Sequence, residues 1–120
     1  MKVFLVEDAP LLRTRLEAMI ASIPGGRAVG HADGAEDAIQ GILAERPDVV
    51  VLDLHLRQGS GLDVLRRIGE AGLRTAIYVL TNHPEESYRR LAAKLGARGF
   101  FDKSHEFDKL RAALAASAGG

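Results

Sequence analysis

The sequence predicts an α/β fold in which five βα units wind around a parallel sheet. Short apolar runs rich in Val, Ile and Phe alternate with longer stretches whose apolar residues recur at helical spacing. The clearest runs are almost continuously apolar, as strands covered by helices on both faces require. At 120 residues the chain is long enough to bury a core as one unit without cross-links.

In chain order, Val3 to Val6 reads as the first strand, and Leu12, Leu16, Met19, Ile20 and Ile23 mark the buried face of the first helix. Arg27 to His31 is a weaker second strand, followed by a helix carrying Ala35, Ala38, Ile39, Ile42 and Leu43. Val49 to Leu52 is the third strand, and Leu62, Leu65 and Ile68 mark the third helix. Ala76 to Leu80 is the fourth strand, with Tyr88, Leu91, Ala92 and Leu95 on the helix behind it. Arg98 to Phe101 closes the series as a weak fifth strand before a helix with Phe107, Leu110 and Leu114. Asp33 with Glu36, and Ser60 with Asp63, have capping-box spacing, Gly96 is placed to stop the fourth helix, and Ser104 is a candidate cap for the fifth. A single unit spans residues 1–120, its core about 2–117, and the small residues from Ala115 to Gly120 read as a short flexible tail.

Composition narrows the functions. The 16 basic and 16 acidic side chains cancel, so no overall field draws in nucleic acid or an anionic membrane. The absence of cysteine excludes disulfides, thiolate metal sites and cysteine nucleophiles. The apolar run near the start is too short for a leader or a spanning helix, and the chain reads as cytoplasmic.

In an open parallel sheet, ligands bind beyond the carboxyl ends of the strands. Glu7 and Asp8 follow the first strand, Asp53 ends the third, Thr81 follows the fourth and Lys103 the fifth. One edge therefore gathers three carboxylates, a hydroxyl and an amine. Crowded carboxylates repel unless a cation sits among them, and Mg²⁺ takes one or two carboxylates while keeping room for phosphate oxygens. Asp53 is then placed as a nucleophile toward phosphorus, with Lys103 offsetting charge on the transferring oxygens and Thr81 donating to one of them.

Four segments in this order, VFLVED, VVVLDLHLRQGSGLDVL, IYVLTNH and GARGFFDKS, resemble the receiver domains of bacterial two-component response regulators, chemotaxis regulators among them. The resemblance covers almost the whole chain. It implies a doubly wound, flavodoxin-like (βα)5 three-layer sandwich with sheet order 2-1-3-4-5. It further implies that Asp53 is the phosphoacceptor, that Asp8 binds Mg²⁺ directly and Glu7 through water, and that the backbone carbonyl of His55 completes the metal shell. Thr81 and Phe100 stand at the switch positions, and Lys103 at the family's lysine. Phosphorylation would reshape the surface of the fourth helix, fifth strand and fifth helix. The implied partners are a histidine kinase or phosphotransfer protein, a target or output domain outside these residues, and a phosphorylation-dependent homodimer. Such a chain catalyses its own modification and is not a turnover enzyme.

Two positions depart from the family pattern. Ser104 follows Lys103 where proline is frequent, and a non-proline cis bond costs about 3 kcal/mol, so the isomer there is open. Arg57 and Gln58 stand in a loop that often carries proline. His55 and His83, each two residues past a site residue, are candidates for tuning phosphoryl lifetime or are simply solvated. His31 is expected to be exposed and His105 to lie in the first turn of the last helix. Arg89, Arg90 and Lys94 suggest a basic face on the fourth helix.

Other functions fit less well. A haloacid-dehalogenase-type phosphatase needs a second aspartate two residues after the nucleophile, where His55 stands. A flavodoxin-like cofactor module needs a phosphate-cradling first loop, and Glu7, Asp8, Ala9 and Pro10 repel phosphate. An interaction module that is never phosphorylated would not need every site group to be present.

Overall fold

The computed structural model describes residues 1–119 and runs β1 (Lys2–Val6), α1 (Pro10–Ala21), β2 (Arg27–Ala32), α2 (Ala35–Glu45), β3 (Val49–Leu52), α3 (Gly61–Glu70), β4 (Ala76–Thr81), α4 (Glu86–Lys94), β5 (Gly99–Asp102) and α5 (Phe107–Gly119). The strands form one parallel sheet in the order β2-β1-β3-β4-β5. This is the doubly wound order that the sequence led us to expect. The order reverses between β1 and β3, which opens a crevice at their carboxyl ends.

Alternation along the strands divides the core. On β3, Val50 and Leu52 pack with residues of α2 and α3, while Val49 and Val51 pack with residues of α1 and α5. β1 divides in the same way, with Phe4 and Val6 on one side and Val3 and Leu5 on the other. Phe100 and Phe101 likewise enter opposite layers, as expected of neighbours on a strand. No helix among the described residues is long and apolar enough to cross a membrane.

Several local expectations are corrected. Gly34, not Asp33, caps α2 and offers no side-chain bond; Ala35 donates its N–H to the Gln58 carbonyl at 2.8 Å, so a loop from another unit satisfies the helix start. Asp33 pairs with Arg13 instead, at 3.4 Å. Ser60 does cap α3, its Oγ accepting from the Leu62 N–H at 3.1 Å, but Asp63 turns to Arg66 and the reciprocal half of the box is absent. Gly96, at φ +103°, ends α4 as its position suggested.

Ser104 and His105 precede α5 rather than cap or enter it. The turn is held by Asp102, whose carboxylate accepts from the Ser104 N–H at 2.9 Å and meets His105 Nδ1 at 3.0 Å. The Lys103–Ser104 bond is trans, since no cis peptide occurs among the described residues. Ala115 to Gly119 continue α5 instead of forming a loose tail, and Ser117 Oγ hydrogen-bonds the Tyr78 hydroxyl at 2.7 Å. Gly120 lies outside the described residues. Leu43 and Leu91, expected on buried faces, are exposed; α2 buries Ala35, Ala38, Ile39 and Ile42 instead, and α4 buries Ala92. His31 is exposed, as expected.

Candidate functional site

Glu7, Asp8, Asp53, Thr81 and Lys103 meet at the carboxyl edge of the sheet because each ends or follows a parallel strand. Backbone bonds hold the edge in place: Glu7 donates to Ala32, Asp53 to Val6, and Lys103 to Thr81, at 3.1, 3.0 and 2.9 Å between N and O. The side chains of Glu7, Asp53 and Thr81 are buried, and Asp8 is half-buried at the rim.

The centre of the site is the Lys103 ammonium. Nζ lies 2.8 Å from Asp53 Oδ2 and 2.8 Å from Glu7 Oε2, bridging two buried carboxylates. Their other oxygens are also engaged: Glu7 Oε1 accepts from the Ala9 N–H at 3.1 Å, and Asp53 Oδ1 accepts from the His55 N–H at 3.1 Å. Asp8 has no side-chain hydrogen bond among the described residues. One carboxylate oxygen from each of Glu7, Asp8 and Asp53 lies within 4.8 Å of the others. Three carboxylates facing one ammonium leave surplus negative charge, and the donors are all hard oxygens. That chemistry suits a small divalent cation and not a soft metal.

Burial pushes the Glu7 carboxyl above its usual range, because lost hydration outweighs the hydrogen bond from Lys103. Burial pulls the Lys103 ammonium the other way, but Asp53 and Glu7 together overcome it and raise its pKa, so it stays charged. For Glu7 the folded state holds the proton more tightly than the unfolded chain does. Its contribution is therefore complete below the usual 4.5 and is lost as pH rises through the raised value. In melts without divalent cations, from about pH 4 to pH 8, wild type should lose stability relative to Glu7→Gln as pH rises. Parallel pH profiles would contradict the assignment.

Thr81 is fully buried, and its Oγ1 accepts from the His83 N–H at 3.1 Å, which leaves the hydroxyl proton free to donate. His55 and His83 come together, ring centroids 3.8 Å apart, with Tyr88 edge-on to His55 at 5.2 Å. The structure thus joins two loop histidines that stand 28 positions apart in the sequence. A cavity of about 430 Å³ lies at the opposite edge of the sheet, between Arg46 and Thr75, and holds none of these groups.

Two contributors escaped the sequence reading. Gly61, first in α3, packs so tightly on β3 that an added Cβ would overlap the Asp53 carbonyl oxygen and come within 2.7 Å of Leu54 Cα. Its only signal is a glycine where α3 begins, after Ser60. Arg89, read as part of a basic face, instead turns onto Phe100, with its guanidinium carbon 4.7 Å from the ring centroid. Nothing in helical spacing marks that turn.

A five-stranded doubly wound domain with a lysine-bridged acidic site at its switch point has the layout of a signalling receiver. The chain belongs to the response regulator receiver domain family, whose model matches residues 3–115. It is 32% identical over 120 residues to the nitrate/nitrite response regulator protein NarL of Escherichia coli, covering 98% of this chain and 55% of that protein. It is 34% identical over 114 residues to the transcriptional regulatory protein DltR of Streptococcus agalactiae, covering 95% and 50%. Among solved structures, the receiver domain of a putative response regulator NarL from Mycobacterium tuberculosis superposes with a TM-score of 0.87 at 28% identity, covering 99% of this chain and 97% of that one. The chain spans about half the length of these curated relatives.

Proposed function

We propose that the chain is the phosphoacceptor unit of a two-component response regulator and that Asp53 receives the phosphoryl group. The observation that carries this reading is the Lys103 ammonium shared between Asp53 and Glu7 beside an unbonded Asp8. An Asp53 oxygen attacks phosphorus, an O–P bond forms, and the donor's bond to phosphorus breaks with its electron pair leaving on the donor. Lys103 stays within reach of the transferred oxygens and offsets their charge, and the free Thr81 proton donates to one of them. Glu7, through water, with Asp8, Asp53 and the His55 backbone carbonyl would hold Mg²⁺. When bound, that ion supplies further positive charge for the phosphoryl oxygens.

Movement at Thr81 then passes to Phe100 on the neighbouring strand, where Val79 pairs with Phe100 and Thr81 with Asp102. The surface of α4, β5 and α5 is the readout. A histidine kinase or phosphotransfer protein is the donor, and an output domain, target or second phosphorylated copy is the receiver of the signal. Residues 1–120 act as one cytoplasmic unit that modifies itself and turns over no substrate.

Incubation with Mg²⁺ and a small acyl phosphate should add about 80 Da by intact mass, in acid-labile form, to wild type and not to Asp53→Asn. Equal labelling of both would sink the assignment. The paired rings of His55 and His83, each two residues past Asp53 or Thr81, are proposed to set how long the adduct survives. A His55→Ala, His83→Ala double variant should change its decay rate, and unchanged decay would remove the pair from that role.

A further inference from the structure

Phe100 is already inside. The residue is 8% exposed and belongs to the same buried cluster as Ile77, Val79 and Ala92. Arg89 from α4 lies over the ring, its guanidinium carbon 4.7 Å from the centroid. The same guanidinium donates from Nη1 to the Phe100 carbonyl at 3.2 Å, and its Nε lies 3.9 Å from Glu86. One side chain thus grips both the ring and the backbone of the strand beside it, and the ring cannot swing outward without breaking the stacking contact.

We infer that Arg89 is a latch that holds Phe100 buried before any phosphoryl group arrives, biasing the α4–β5 face toward its phosphorylated arrangement. The second half of this inference rests on the proposed function, extended so that the phosphoryl group draws Thr81 toward it and the Phe100 ring turns into the space that Thr81 leaves. Anything that favours the inward ring then also favours the phosphorylated state, by at most the same factor, because affinity follows the fraction of rings that are inward. A partly exposed cation–π contact changes such an equilibrium by about two- to fivefold. Arg89 is a positioning residue here and touches none of the reacting atoms.

The test places 4-fluorophenylalanine at all four phenylalanines and assigns the Phe100 ¹⁹F signal with Phe100→Leu. In the unphosphorylated wild type that signal should be shielded from a soluble paramagnetic agent. In Arg89→Ala it should move and broaden several-fold. Arg89→Lys, which keeps the charge but not the planar fork, should fall between, and Leu91→Ala on the exposed side of α4 should match wild type. A Phe100 signal as protected in Arg89→Ala as in wild type would overturn the latch.

Beryllofluoride, a mimic of the phosphoryl group, provides the second arm. Its affinity should fall in Arg89→Ala in proportion to the fraction of rings released, by at most about fivefold, and stay unchanged in Leu91→Ala. A released ring with unchanged affinity would overturn the bias toward the phosphorylated state. The ring signal is read on protein without the mimic, so it judges the latch alone. Failure of wild type to bind beryllofluoride would count against the role of Asp53 instead.

Discussion

Lys103→Met is expected to destabilise the protein by about 3 kcal/mol, because it leaves two buried carboxylates without their shared cation. The ammonium is 2.8 Å from both Glu7 and Asp53, and all three side chains are almost wholly buried. Denaturant unfolding without divalent cations measures the loss. Methionine keeps most of the side-chain volume, so the loss reports charge and not a cavity. The same variant should accept phosphoryl groups on the order of a hundredfold more slowly, the scale for removing one preorganised donor from developing negative charge. Wild-type stability together with wild-type phosphorylation would show that the bridge is incidental.

Gly61→Ala carries the second large effect. The added methyl would press on the Asp53 carbonyl and the Leu54 backbone, neither of which can rotate away as a side-chain end could. The expected cost is about 3 kcal/mol, at the upper end for an overpacked site. Either α3 must lift from β3 or the loop after Asp53 must shift, and both misplace the nucleophile. Intact-mass labelling should therefore be slowed even at temperatures where the variant is folded. Gly72→Ala offers a contrast: its Cβ would meet nothing within 4 Å, but φ is +74°, so any loss there is backbone strain far from Asp53. Normal labelling of Gly61→Ala would show that the close approach does not position the acceptor.

The five βα units and the gathering of Glu7, Asp8, Asp53, Thr81 and Lys103 were legible in the residues themselves, while the sheet order came only from the resemblance. Apolar alternation and helical period depend on near neighbours, and once the strands are parallel, whatever follows them must share one edge. Contacts between units were not legible in that way. The sequence placed Lys103 at the edge, but only packing decided that its ammonium would lie between Glu7 and Asp53, the latter 50 positions away. Asp33 looked like a helix cap until the Gln58 carbonyl, from another unit, took that task. Arg89 looked solvated until Phe100 gave it a surface to cover. Gly61 looked like an ordinary helix start until β3 came within contact of where its side chain would be. Local period determined the elements and the edge on which chemistry could assemble. Tertiary packing decided which atoms touch there, because it alone sets the distances between groups far apart along the chain.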